Sequence, residues 1–221
     1  MSQRYYMTRH WLALFLGILC SSNLVHANSE FIAISDLNFR QCIHELSQKN
    51  NWQRPEDFLA IKCHNKNITR LDGIERFVNL ETLSLHKNQI SSINIGALTK
   101  LKRLNLARNN IKTLHLSNLL RLTEVFIFGN SLTQLEIHTL PKLQKLKASG
   151  NQLISFKYSA LPALTKIYMF DNKMEHIDIH NLPSMKYMDV RQNPMPDPLY
   201  EEMDKLKGVT ILHDGNADDW D

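Results

Sequence analysis

The feature that most constrains this chain is a repeat period of 21 residues. The pattern L-x-x-L-x-L-x-x-N-x-L, with apolar variation, begins at Leu80, Leu101, Leu122, Leu143, Leu164 and Met185, each 21 residues after the last. Leu101, Leu104, Leu106, Asn109 and Ile111 make one full instance, and Leu164, Ile167, Met169, Asn172 and Met174 make another. Counting back 22 residues from Leu80 finds a degenerate first unit at Phe58, Ile61, Cys63, Lys66 and Ile68. Counting 21 forward from Met185 finds a degenerate last one at Leu206, Val209, Ile211 and Asp214. A register held over this length means one small unit stacked many times. No single unit can enclose a core, whereas a stack buries a continuous apolar column.

The second half of each unit repeats as well, with apolar pairs at Ile93/Ile95, Leu114/Leu116, Leu135/Ile137, Phe156/Tyr158 and Ile177/Ile179. Alternation of this kind is the mark of a short strand buried on one side. Each coil should therefore carry one strand in a parallel sheet on the concave face and a short extended segment on the convex face. No segment inside the repeats shows helical periodicity. With strands about 4.8 Å apart, such coils build a curved right-handed solenoid roughly 35–40 Å long.

These units resemble the bacterial 21-residue class of leucine-rich repeats sometimes called IRREKO, closely over residues 80–195 and loosely over 58–216. The first unit has 22 residues and reads Ile68-Thr-Arg-Leu71-Asp-Gly-Ile74-Glu, which is more similar to internalin-type repeats. The resemblance implies a leucine-rich-repeat solenoid in a secreted bacterial protein, with a host-directed or surface-directed role by analogy. It is nearly silent on the ligand, because many unrelated binders share the fold.

The chain divides into a signal peptide (1–27), an N-terminal helical cap (28–57), the repeats (58–195) and a C-terminal cap with a degenerate last repeat and acidic tail (196–221). Arg4 and Arg9 precede an apolar run over residues 11–19, and Val25-His26-Ala27 ends in a small residue suited to cleavage. That run is about half of what a membrane-spanning helix needs. Cys20 follows Leu19, where a lipidated cysteine requires a small residue, so lipidation is not expected. Cleavage near Ala27 would leave a periplasmic or extracellular protein. Its 24 basic residues, the 26 of the whole chain less Arg4 and Arg9, stand against 22 acids. This mildly basic balance excludes a committed nucleic-acid binder.

Both ends of a solenoid need covering. Phe39, Cys42, Ile43 and Leu46 form one apolar helix face behind Ser35 or Asp36 as N-cap. Asp197-Pro198 starts a second helix, with Leu199, Met203 and Leu206 inward and Gly208 as the stop. Cys42 and Cys63 are the cysteines left after processing, and in an exported protein they read as one disulfide pinning the first helix to the first coil. A metal site from Cys42, Cys63, His44 and His64 lacks the paired short spacings of zinc ligands.

Nothing in the sequence calls for catalysis or a cofactor. G-x-S-x-G, H-E-x-x-H and phosphate-cradling glycine loops are absent. His138 and His180 share a repeat position but stand two coils apart, roughly 10 Å, too far for one metal ion. The recurring Asn88, Asn109, Asn130, Asn151, Asn172 and Asn193 read as scaffold, their amides satisfying backbone groups at the turn after each strand. Asn67-Ile68-Thr69 is a glycosylation sequon, of use only in a eukaryotic secretory route.

Counting the first leucine of a unit as position 1, strand alternation turns positions 3, 5 and 7 outward on the concave sheet. These include Ser84, Ala107, Ser149 and Asp189, and in the last unit Gly208, Thr210 and Leu212. Five of them are aromatic: Phe126, Phe128, Tyr168, Phe170 and Tyr187. Arg103, Lys145, Lys147, Lys166 and Arg191 surround or interleave with them. Aromatics edged by cations are what a protein-binding hot spot contains, so a protein partner is expected on this face of a monomer. The alternatives are an acidic glycan or other polyanion, and a scaffold whose rings only stack along the sheet.

Overall fold

The computed structural model describes residues 34–215; the expected signal peptide and the acids beyond Asp214 lie outside them. Eleven short strands are present among the described residues: β1 (Ala60–Lys62), β2 (Thr82–Ser84), β3 (Arg103–Asn105), β4 (Thr113–Ser117), β5 (Glu124–Phe126), β6 (Gln134–His138), β7 (Lys145–Lys147), β8 (Lys157–Ser159), β9 (Lys166–Tyr168), β10 (Tyr187–Asp189) and β11 (Thr210–Leu212). The long sheet runs β1-β2-β3-β5-β7-β9-β10-β11, parallel throughout. Its register steps by 22 residues from Ile61 to Leu83, then by 21 from Leu83 to Leu104 and from Leu104 to Val125. This is the parallel solenoid that the repeat demands.

The last step departs from the expected count. Met188 pairs with Ile211, 23 residues on, so the final coil is two residues longer. The extra length accommodates the helix at Asp197–Asp204. Thr210 and Leu212 therefore take positions 3 and 5 in place of Gly208 and Thr210. Asp214 moves to position 7, where its carboxylate accepts the N–H of Gln192.

On the opposite face only the central coils build a ladder, β4-β6-β8. Extended segments at Ile93/Ile95 and Ile177/Ile179 do not join it, and local hydrogen bonds explain why. Asn94 Oδ1 accepts the N–H of Gly96, and Asp178 Oδ1 accepts the N–H of His180 at 2.9 Å, each turning the backbone on itself. The first coil instead carries a 3-10 turn at Ile74–Arg76.

Between the two faces lies one apolar column, from Ile61, Leu83 and Leu104 through Val125 and Leu146 to Ile167 and Met188, all essentially without solvent contact. The asparagine row borders it as a ladder. Asn130 Oδ1 accepts the N–H of Ile111 at 3.1 Å, while its Nδ2 donates to the carbonyls of Leu106 and Ile127 at 3.0 Å. Asn109, Asn151, Asn172 and Asn193 repeat the arrangement. One amide thus serves backbone groups of neighbouring coils beside the apolar column. Asn130→Ala is expected to destabilise by about 1–3 kcal/mol, since it strands those groups. Urea unfolding would read the loss, and an unchanged midpoint would contradict the ladder's role.

The turns carry a cost that the repeat pattern hides. The residue after position 7 is left-handed in successive coils, at Asn65, Lys87, Arg108, Gly129, Gly150, Asp171 and Gln192. A second left-handed set closes the short sheet at Asn118, Thr139 and Ala160. Thr139, at φ 54°, is a β-branched residue where such side chains rarely sit. Its counterpart one coil earlier is Asn118, a residue type that tolerates this conformation. Thr139→Asn should therefore stabilise the protein by roughly 0.5–1 kcal/mol, a rise in melting temperature that calorimetry can measure.

Helix α1 (Leu37–Asn50) buries Phe39, Cys42 and Ile43 in the same core as the first coil. Asp36 is its N-cap, accepting the N–H of Phe39 at 2.9 Å. Its other oxygen takes the N–H and hydroxyl of Thr69 and the N–H of Arg70, so one carboxylate joins helix and coil. Partial burial pushes this carboxyl up, and the hydrogen bonds from Thr69, Phe39 and Arg70 outweigh it to hold it below its ordinary range. Cys42 and Cys63 are bonded as a disulfide, their Cα atoms 6.0 Å apart. At the far end, helix α2 (Asp197–Asp204) buries Leu199, Tyr200 and Met203, with Gly208 left-handed beyond it. Among the described residues no helix is long and apolar enough to cross a membrane.

Candidate functional site on the long sheet

The strand register sets the order of side chains across the concave face. Position 3 reads Arg103, Glu124, Lys145, Lys166, Tyr187, and position 5 reads Asn105, Phe126, Lys147, Tyr168, Asp189. Position 7 lies just past each strand. The bonds from Gly129 N to Ser149 O, Gly150 N to Phe170 O and Asp171 N to Arg191 O order it as Phe128, Ser149, Phe170, Arg191. All nine candidate residues thus fall on β5, β7, β9, β10 and the turns that follow them. The pair Phe126/Phe128 and the pair Tyr168/Phe170 stand on either side of the coil carrying Lys145 and Lys147.

Not every outward position is open to water. Ser84, Ala107, Ser149 and Asp189, expected on the surface, are buried, Ser149 at 6% and Asp189 at 3% exposure. Side chains on adjacent strands stand about 4.8 Å apart, so a small residue beside large ones is roofed by them. Ser149 has Phe128 on one side and Phe170 on the other. Its hydroxyl is the buried side-chain polar atom that lacks a hydrogen-bond partner among the described residues. Unsatisfied buried groups are few in folded proteins and call for a reason.

The aromatics fall into two groups. Tyr168 and Tyr187 touch, ring centroids 5.2 Å apart, and Lys147 Nζ lies 4.5 Å from the Tyr168 ring centre. Burial, with Asp189 and Tyr168 nearby, pushes the Tyr187 hydroxyl up and keeps it protonated. These two rings are thus engaged with their neighbours along the sheet. Phe126, Phe128 and Phe170 have no ring partner among the described residues, and Phe170 is 39% exposed. None of the three belongs to the buried column.

The cations differ in the same way. Glu124 sits between Arg103 at 2.8 Å and Lys145 at 3.6 Å, and Arg191 is held by Asp189 at 2.8 Å. Lys145 and Lys166 are direct cross-strand neighbours, a like-charge pairing that a sheet does not adopt for its own stability. Of the cations expected here, Lys166 alone has neither carboxylate nor ring against it among the described residues. The net field is weaker than the sequence suggests, and it is concentrated on Lys147 and Lys166.

The Leucine Rich Repeat family profile matches residues 79–101. The fold is a leucine-rich-repeat solenoid. Among solved structures the chain is similar to YopM, a leucine-rich effector protein from Yersinia pestis (19% identity, TM-score 0.63, 87% of this chain and 60% of that one). It is also similar to internalin C2 from Listeria monocytogenes (18%, 0.53, 85% and 96%). A leucine-rich-repeat protein from Leptospira interrogans is 26% identical, with a TM-score of 0.56, over 62% of this chain and 38% of that chain's length. No curated protein sequence matches this chain. These likenesses are of fold, within bacterial leucine-rich-repeat proteins, and leave the concave residues to speak for themselves.

Proposed function

We propose that this chain is an exported, non-enzymatic binding module that takes a protein partner on the concave sheet between β5 and β10. Phe126, Phe128, Tyr168, Phe170 and Tyr187 form the apolar contact, with Lys145, Lys147, Lys166 and Arg191 in and around it. The observation that carries this reading is the Phe128–Ser149–Phe170 column. It combines two rings without ring partners and a buried hydroxyl with its hydrogen bonding unspent. A partner group that parts the two rings would cover the apolar surface and give the hydroxyl its missing hydrogen bond. Five partly exposed aromatics on one face, with Phe170 the most open, need a reason, and leucine-rich-repeat solenoids commonly serve as protein-interaction modules. The disulfide fits an oxidising compartment and so supports export.

An acidic glycan or other polyanion on the same face is the second reading, and the cross-strand pair Lys145 and Lys166 favours it. Binding measured at low and high salt separates the two. A polyanion contact weakens steeply as salt rises, while an aromatic anchor holds. The decisive experiment captures the partner from cell-surface and host extracts on the immobilised chain. The Phe128→Ala/Phe170→Ala variant serves as the control, and capture that this variant retains would refute the reading.

A further inference from the structure

The short sheet on the opposite face brings together three metal-ligating side chains. His115 on β4 is the direct cross-strand partner of Glu136 on β6, and His138 lies two residues further along β6 on the same face. One ligand atom from each of His115, Glu136 and His138 lies within 4.8 Å of the other two. His115 Nδ1 is 3.5 Å from Glu136 Oε2, and the two imidazole centroids are 5.8 Å apart. We propose that these residues form a site for a first-row transition-metal dication, Zn²⁺ foremost.

The donor set is two imidazoles and a carboxylate, borderline ligands that suit zinc and its neighbours rather than calcium or magnesium. Bonds of about 2.0–2.2 Å to each donor require only a modest inward rotation of side chains already facing one another. Two paired strands hold the bases of all three. His138 is further restrained because its Nδ1 is within 2.8 Å of Ser159 Oγ on β8, which leaves Nε2 for an ion. A hydrogen bond on the second nitrogen is how proteins orient metal-binding histidines. Lys157 is the opposing charge, its Nζ 3.8 Å from the other oxygen of Glu136, and an ion would displace that weak contact. The site is open on its solvent side, so a fourth position takes water or a donor from another molecule. His180 occupies the repeat position of His138 two coils away but is engaged by Glu202 at 2.7 Å, which makes it a control.

The test is Zn²⁺ titration of the purified chain without an affinity tag, by calorimetry, with Co²⁺ absorption as a second readout. One saturable site is expected. The His115→Ala and His138→Ala variants should each weaken it by about tenfold or more, Ser159→Ala by roughly tenfold, and His180→Ala not at all. All four residues lie outside the buried core, and matching melts without metal would confirm intact folds. Should a variant melt early, His115→Gln offers a milder change at the same position. Zn²⁺ binding that fails to saturate, or that survives unchanged in the His115→Ala/His138→Ala double variant, would overturn the proposal.

Discussion

Reducing the Cys42–Cys63 disulfide is expected to lower stability by roughly 3 kcal/mol, the chain-entropy value for a loop of this size. The bonded residues are 21 apart in sequence, and both are buried where α1 meets β1. In a solenoid each coil is supported by its neighbours, so a loosened end exposes the first coil and fraying proceeds inward. Hydrogen exchange should therefore rise first at Phe39–Ile43 and Ile61–Cys63, with the central coils least affected. Urea unfolding of the oxidised protein and of the same protein under reductant gives the comparison without any substitution. Coincident midpoints would mean that the Asp36 contacts and apolar packing hold the helix alone. Those contacts have a pH signature of their own. The depressed Asp36 carboxyl contributes stability that is present above its unfolded pKa and is lost as pH falls through the lower folded value. Acid should thus loosen the N-terminal end before the array.

Phe128→Ala and Phe170→Ala should each weaken partner binding by about 2 kcal/mol or more while leaving the melting temperature within a few degrees. The asymmetry follows from position: neither ring contributes to the apolar column, yet the two flank the buried Ser149 on the concave face. Ser149→Ala sharpens the test. Removing a buried hydroxyl that has no partner should leave stability unchanged or slightly improved, because leaving such a group unsatisfied costs about 1–3 kcal/mol. If a partner supplies the missing hydrogen bond, the same substitution weakens binding. A large fall in melting temperature with affinity intact would assign the phenylalanines to the scaffold, and the binding face would lie elsewhere.

Much of the fold was legible because its rule is one-dimensional. A period of 21 residues and the alternation within it name the inward residue of every strand, from Leu83 to Met188, without knowledge of any contact. The asparagine row was legible for the same reason, since one geometric need recurs in each coil. The last coil was misplaced because helix α2 adds two residues that periodicity cannot see. Positions 3, 5 and 7 were read correctly as one face, but alternation fixes only a direction. Whether a side chain there meets water depends on its neighbours across the sheet, which is why Ser149 and Asp189 lie covered.

What the sequence by itself determined, then, is the stack: the strand order, the inward column, the helix and cysteine at its start, and the aromatic cluster on one face. Each of these follows from spacing along the chain. The tertiary structure alone decided which charges are spent, as with Arg103 and Lys145 on Glu124. It also decided that a hydroxyl lies unsatisfied between two phenylalanines, and that His115, Glu136 and His138 converge. These are relations between coils, separated by roughly 20 residues of sequence and about 5 Å of space, and only the stacking brings their side chains within reach of one another.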